Sequence, residues 1–131
     1  MNNSKLPAVN KRRVGTIEER LAACFLEKHG VHIVDRNFHD SRYGEIDLIG
    51  YEGRVLVFAE VKYRSTYLFG RPEEAVTLRK QKTISNVARF YMYTHHCSDR
   101  PVRFDIVAIS EMDETTDHVL WLRDAFPYRG K

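Results

Sequence analysis

Two short acidic strings stand out for the chemistry their side chains could do together. The first is Gly44-Glu45-Ile46-Asp47 and the second, after twelve intervening residues, is Glu60-Val61-Lys62. On a β-strand, residues two apart project from the same face, so Glu45 goes with Asp47 and Glu60 with Lys62. If the strings lie on neighbouring strands of one hairpin, three carboxylates and an ammonium converge at one end of a sheet. Unpaired carboxylates are costly to bury among apolar strand residues, and a divalent cation removes that cost. Hard oxygen donors suit Mg2+ or Mn2+, which would polarise a phosphodiester and acidify a water molecule while Lys62 orients the attacking water. In this reading Asp47 and Glu60 are direct ligands and the Val61 carbonyl offers another oxygen. Glu45 is either a further ligand or an ion-pair partner of Arg42 or Arg64. The same residue types also make cross-strand ion pairs on solvated faces, which is the plainer arrangement. Against it, the apolar run Val57-Phe58-Ala59 leads into Glu60 with no polar face having appeared.

The elements that must hold these residues follow from periodicity and punctuation. Thr16 with Glu19 three residues on makes a capping box, and Ile17, Leu21, Cys24 and Phe25 recur at helical spacing until Gly30, which predicts a first helix over 17–29 with Cys24 on its inner stripe. Val31 to Phe38 reads as a strand, Gly44 to Ile49 as a second, Tyr51-Glu52-Gly53 as a hairpin turn, and Arg54 to Tyr63 as a third. The third is apolar on both faces from Val55 to Ala59, the pattern of a central strand covered on both sides. An aromatic, glycine-containing loop spans 65–72. A second helix is predicted from Thr77 or Leu78 to Thr94, with Ile84, Val87, Ala88 and Tyr91 facing inward. Val102 to Ile109 is a fourth strand, 111–117 an acidic turn, and Val119 to Leu122 a short edge strand. The order αβββαβ(β) implies an α/β fold, a mixed central sheet flanked by helices.

Composition narrows the class. At 131 residues and 15.4 kDa, 43% hydrophobic and 30% charged, the chain is sized for one globular domain. Its net charge of +3 is unevenly placed: Lys5, Lys11, Arg12 and Arg13 lie in a first segment without acids, leaving 17 basic against 18 acidic residues over 14–131. The expected organisation is a flexible basic arm over 1–13 followed by a single domain over 14–131. The excess charge is a property of the arm, which either touches phosphate or is simply solvated. Cys24 and Cys97 form no CxxC or metal spacing, the N-terminal segment has no apolar signal region, and no run approaches a membrane span. A cytoplasmic protein with no membrane association is expected.

One further set of residues carries a resemblance. Gly15 and Glu19 through Phe25-Leu26, then Asn37, Arg42-Tyr43-Gly44-Glu45-Ile46-Asp47-Leu48-Ile49, Val57 through Arg64, Phe69-Gly70 and Arg103-Phe104-Asp105 together resemble the bacterial YraN family. That family is similar to the PD-(D/E)xK nuclease superfamily, including archaeal Holliday junction resolvases. The resemblance covers nearly all of the chain after the basic arm, and GEIDLI with FAEVKYR is its most specific part. It implies a restriction-endonuclease-like core in which Asp47 is the motif aspartate, Glu60 and Lys62 the E-x-K pair, and Glu19 the acid that related resolvases add from their first helix. Glu18 stands where the family has glycine, which leaves Glu18 and Glu19 competing for that role, and Ile46 replaces the superfamily's proline. Glu19 also has a complete structural explanation in the capping box.

The function so implied is a Mg2+- or Mn2+-dependent nuclease-like protein acting on DNA, branched or single-stranded, in repair or recombination. The alternative is a non-catalytic nucleic-acid-binding accessory protein of the same fold. Arg64, Arg71, Arg79, Lys80 and Lys82, interleaved with Tyr67 and Phe69, form the expected nucleic-acid surface, with phosphates on the cations and unpaired bases on the rings. A flexible loop leading into a solvated basic helix face would use the same residues. A homodimer would suit a small nuclease acting on two strands, although no residue marks an interface. Asp105 is expected to be a structural partner of a basic residue, and His95-His96 to cap a helix end.

Overall fold

A computed structural model describes residues 17–64, 76–110 and 119–130, apart from the Arg64 side chain. The basic arm, Thr16 of the capping box, the 65–72 loop and the acidic turn at 111–117 lie outside the described residues. The elements are α1 (Ile17–Lys28), β1 (His32–Asp40), β2 (Gly44–Glu52), β3 (Val55–Arg64), α2 (Leu78–Thr94), β4 (Val102–Ser110) and β5 (Val119–Phe126). They build the expected mixed α/β architecture. One five-stranded sheet has its strands in sequence order; β1, β2 and β3 run antiparallel, β3 and β4 parallel, and β4 and β5 antiparallel. The parallel pair needs a crossover, which α2 supplies.

Local chemistry sets the boundaries. α1 ends in a Schellman motif: Gly30, at φ +103°, lets Val31 N–H reach back to Leu26 O at 2.9 Å. The Thr77 hydroxyl caps α2 by accepting Lys80 N–H at 3.1 Å. At the other end of α2, His95 N–H bonds Tyr91 O at 2.9 Å and its ring stacks on Tyr91 at 3.8 Å, the capping role expected of that histidine. The hairpin turn is Gly53-Arg54 rather than Tyr51-Glu52-Gly53, because Tyr51↔Leu56 and Glu52↔Val55 continue the β2–β3 ladder and Gly53 takes φ +62°. Glu52 is held there by Arg103 at 2.8 Å and Arg123 at 2.6 Å. β5 runs to Phe126, past the expected Leu122. Fully buried Asp105 anchors it, accepting Trp121 Nε1–H and Asp124 N–H at 2.9 Å each while forming a two-point pair with Arg103. That is the structural role expected for Asp105.

Each sheet face has its own core. On one side Leu56, Phe58, Phe104 and Ile106 pack with Ile84, Val87, Ala88 and Tyr91, the predicted inner face of α2. On the other, Leu48, Ala59, Val107 and Ile109 pack with Ala22, Ala23 and Leu26 of α1. The inner stripe of α1 therefore differs from the expected one. Cys24 is exposed, as are Ile17 (65%) and Leu21 (50%), with Phe25 partly buried. The apolar arc of this helix is wide enough to allow several orientations, and the two small alanines let it settle closest to the sheet on their side. Ala23→Leu is accordingly expected to overpack the interface and lower unfolding free energy by about 1–3 kcal/mol. Leu21→Gln should stay within about 0.5 kcal/mol of wild type in the same urea titration.

Candidate functional site

The orientation of α1 decides what reaches the sheet. Residues 19, 22, 23 and 26 share one helix face, so the burial of Ala22, Ala23 and Leu26 carries Glu19 over the sheet just beyond the apolar patch. Glu19 Oε1 accepts Asn37 Nδ2–H at 2.9 Å. Asn37 lies between the register pairs Arg36↔Leu48 and Phe38↔Ile46, opposite Asp47, and holds φ +51° within β1. Asparagine tolerates this left-handed conformation better than most other non-glycine residues.

β2 and β3 are paired from the turn as far as Leu48↔Ala59. Past that pair Asp47 Oδ2 accepts Val61 N–H at 2.8 Å, a side chain in place of a ladder bond. Ile46 and Leu48, only two residues apart, pack into opposite cores, so β2 turns over its face at Asp47. One carboxylate oxygen from each of Glu19, Glu45 and Asp47 lies within 4.8 Å of the others. Glu19, and not Glu18, joins this group. Glu60 stands beside it on β3, 7% exposed; its Oε2 is 3.7 Å from Lys80 Nζ, and its Oε1 is buried with no hydrogen-bond partner among the described residues.

The electrostatics follow from this crowding. Burial pushes the Asp47 carboxyl up to about 8; the charge of Glu60 adds to the rise, the Val61 N–H opposes it, and Glu19 and Glu45 add more. Glu60 is also raised, chiefly by burial, while Lys80 and then Lys62 pull it back. Asp47 thus faces three other carboxylates. Oxygen-only donors at this spacing, with an orphaned carboxylate oxygen alongside, fit a hard divalent cation. Glu19, Glu45 and Asp47 are the residues that could hold it, with Glu60 adjacent.

The expected residues divide as follows. Asp47, Glu60, Glu45 and Glu19 come together, and Lys62 acts on Glu60 from the same strand face. Val61 contributes its N–H to Asp47. Arg42, weighed as a partner of Glu45, turns instead to Asp40 at 3.5 Å, and His39 Nδ1 lies 4.0 Å from Glu45. Arg79, Lys80 and Lys82 are exposed on the first turns of α2, where Lys80 serves as the counter-ion of Glu60. Tyr67, Phe69, Arg71 and the Arg64 side chain lie outside the described residues. Asn37 carried no role in the sequence reading. Its signals were its place among the residues that carry the family resemblance and an amide in a segment otherwise suited to a strand, where asparagine is disfavoured.

A raised carboxyl has a definite effect on stability. The Asp47 value in the folded chain exceeds the ordinary 3.8, so the unfolded chain holds fewer protons and the stability present at acid pH is lost as pH rises towards about 8. In EDTA, Asp47→Asn should flatten that decline. Its gain in melting temperature over wild type is expected to grow from pH 4 to pH 8 and to reach roughly 5 °C. A gain that does not change with pH would contradict this assignment.

Residues 18–109 match the model of the "Uncharacterised protein family UPF0102". The chain is 38% identical over 119 residues to a UPF0102 protein of Natranaerobius thermophilus, covering 90% of this chain and 100% of the relative. It is 39% identical over 128 residues to one from Colwellia psychrerythraea, covering 95% and 98% of the two chains. With one from Acetivibrio thermocellus it shares 42% over 100 residues, 76% and 77% of the two. With matches of this extent running through both acidic strings, the chain belongs to the UPF0102 family, the YraN family that its motifs resemble.

Proposed function

We propose that this protein is a nuclease-like enzyme that hydrolyses phosphodiester bonds of DNA with Mg2+ or Mn2+ as cofactor. The observation that carries the reading is the meeting of Glu19, Glu45 and Asp47 within 4.8 Å of one another, beside a buried Glu60 whose Oε1 has no hydrogen-bond partner among the described residues. Four carboxylates without a cation would repel both each other and a phosphate. A divalent ion, when bound, supplies Lewis-acid polarisation of the phosphate and a more acidic water.

The chain's own residues do the remaining work. Glu19, Glu45 and Asp47 would hold the ion, and the Asn37 hydrogen bond fixes the Glu19 carboxylate within that group. Val61 N–H fixes the Asp47 carboxylate at the point where β2 and β3 part. Lys62 orients the attacking water and stabilises negative charge as the water oxygen bonds to phosphorus and the bond to the leaving oxygen breaks. Lys80 offsets part of the charge of Glu60.

That same ion pair favours the second reading. Because Lys80 already compensates Glu60, that carboxylate has less need of a cation, as in a non-catalytic protein that binds nucleic acid in support of repair or recombination. A cleavage panel on duplex, single-stranded and four-way DNA with Mg2+ or Mn2+ separates the two. The nuclease reading expects cutting of at least one substrate, lowered at least about 100-fold by Asp47→Ala and by Lys62→Ala in folded protein. Binding of DNA without turnover, unchanged by Lys62→Ala, would establish the second reading.

A further inference from the structure

α2 carries four basic residues, Arg79, Lys80, Lys82 and Arg89, and no acidic one. Three of them sit in its first turns, where cations oppose the helix dipole. The ion pair with Glu60 accounts for Lys80, and helix stability does not account for exposed Arg79 and Lys82, whose charges suit a polyanion alongside the helix. Residues 79, 82, 86, 89 and 93 recur on one side of the helix, and all but partly buried Asn86 are exposed.

This side ends in a groove of about 300 Å³, lined by Arg42, Tyr43, Asn86, Arg89, Phe90 and Tyr93. Its volume is at the small end of ligand sites. The Arg42 guanidinium lies over the Phe90 ring at 5.2 Å and over the Tyr43 ring at 5.3 Å, presenting a flat cationic plane among aromatic ones. Tyr43 is 45% exposed and Tyr93 75%. Arg42 pairs with buried Asp40 through Nε and is otherwise exposed. With Arg89 it brings two guanidinium groups to accessible rings, a combination that suits a phosphate joined to an unstacked base, and a duplex presents no such base.

The groove is joined to the acidic group through short links. Tyr43 lies two residues before Glu45, and a side chain on Gly44 would come within 3.0 Å of Thr83 Cγ2, so the start of β2 rests almost directly on α2. One turn earlier on α2, Lys80 touches Glu60. Lys80 to Phe90 is about 15 Å along the helix, a length an unpaired strand can follow.

We propose that this groove holds an unpaired nucleotide of the substrate strand, which makes single-stranded segments, rather than continuous duplex, the preferred nucleic acid. The proposal rests on the nucleic-acid reading above and assigns it a subsite. Its test is fluorescence-anisotropy binding, in EDTA, of a labelled 12-nucleotide oligothymidylate and of a 12-base-pair duplex. Wild type should bind the oligothymidylate more tightly. Tyr93→Ala and Tyr43→Ala should each weaken it by about tenfold, with duplex binding changed less than about threefold. Equal affinity for the two nucleic acids, or variants that bind oligothymidylate like wild type, would overturn the proposal. Mn2+ calorimetry on the same proteins keeps the two claims apart. Wild type that binds Mn2+ but not oligothymidylate refutes the groove alone, and wild type that binds oligothymidylate but not Mn2+ supports the groove and refutes the metal site.

Discussion

Everything at the acidic end of this molecule depends on the repulsion around Asp47. Its carboxylate is held between two central strands at the point where their ladder stops, with Glu60 on the neighbouring strand, Glu45 on its own and Glu19 above. A fold does not gather like charges in a partly buried place without a compensating partner. Among the described residues the hydrogen bonds from Val61 and Asn37 and the ion pair from Lys80 offset only part of it. Burial first, and then the charges of Glu60, Glu19 and Glu45, push the Asp47 carboxyl up to about 8.

The Asp105 network, two strands away across the sheet, shows what a finished structural network looks like in the same chain. Asp105 is fully buried, yet Arg103, Trp121 Nε1–H and Asp124 N–H all donate to it, and Glu52 ties Arg103 to Arg123. Asp105, Arg103, Glu52 and Arg123 each have an opposite charge beside them. Asp105 is buried more deeply than Asp47 and is nevertheless fully paired, so burial in this sheet does not by itself produce the imbalance at Asp47. It is local, and it coincides with the residues whose types and spacing first suggested metal-assisted chemistry.

Much of this was legible because strand alternation and helix periodicity are short-range. They placed Glu60 and Lys62 on one face, gave α2 its inner residues and yielded the element order. They failed where the outcome depends on tertiary fit. The orientation of α1 was misread because leucine and isoleucine outweigh alanine in any hydrophobic pattern, while close packing on Leu48, Ala59 and Val107 favours the small side. Cys24 went outward as a result. Glu19 was visible as a helix-start residue, and only that orientation separates it from Glu18. The reversal of faces at Asp47, the left-handed Asn37 and the reach of Lys80 to Glu60 leave no periodic trace.

The central claim is that the carboxylates around Asp47 exist to hold one divalent cation. The most direct measurement is anomalous X-ray diffraction from crystals of the wild-type protein soaked in millimolar Mn2+. The account predicts a single strong peak bonded to oxygens of Asp47 and at least one of Glu19 and Glu45, absent from crystals of Asp47→Asn. Wild-type crystals with ordered carboxylates and no peak among them would contradict it.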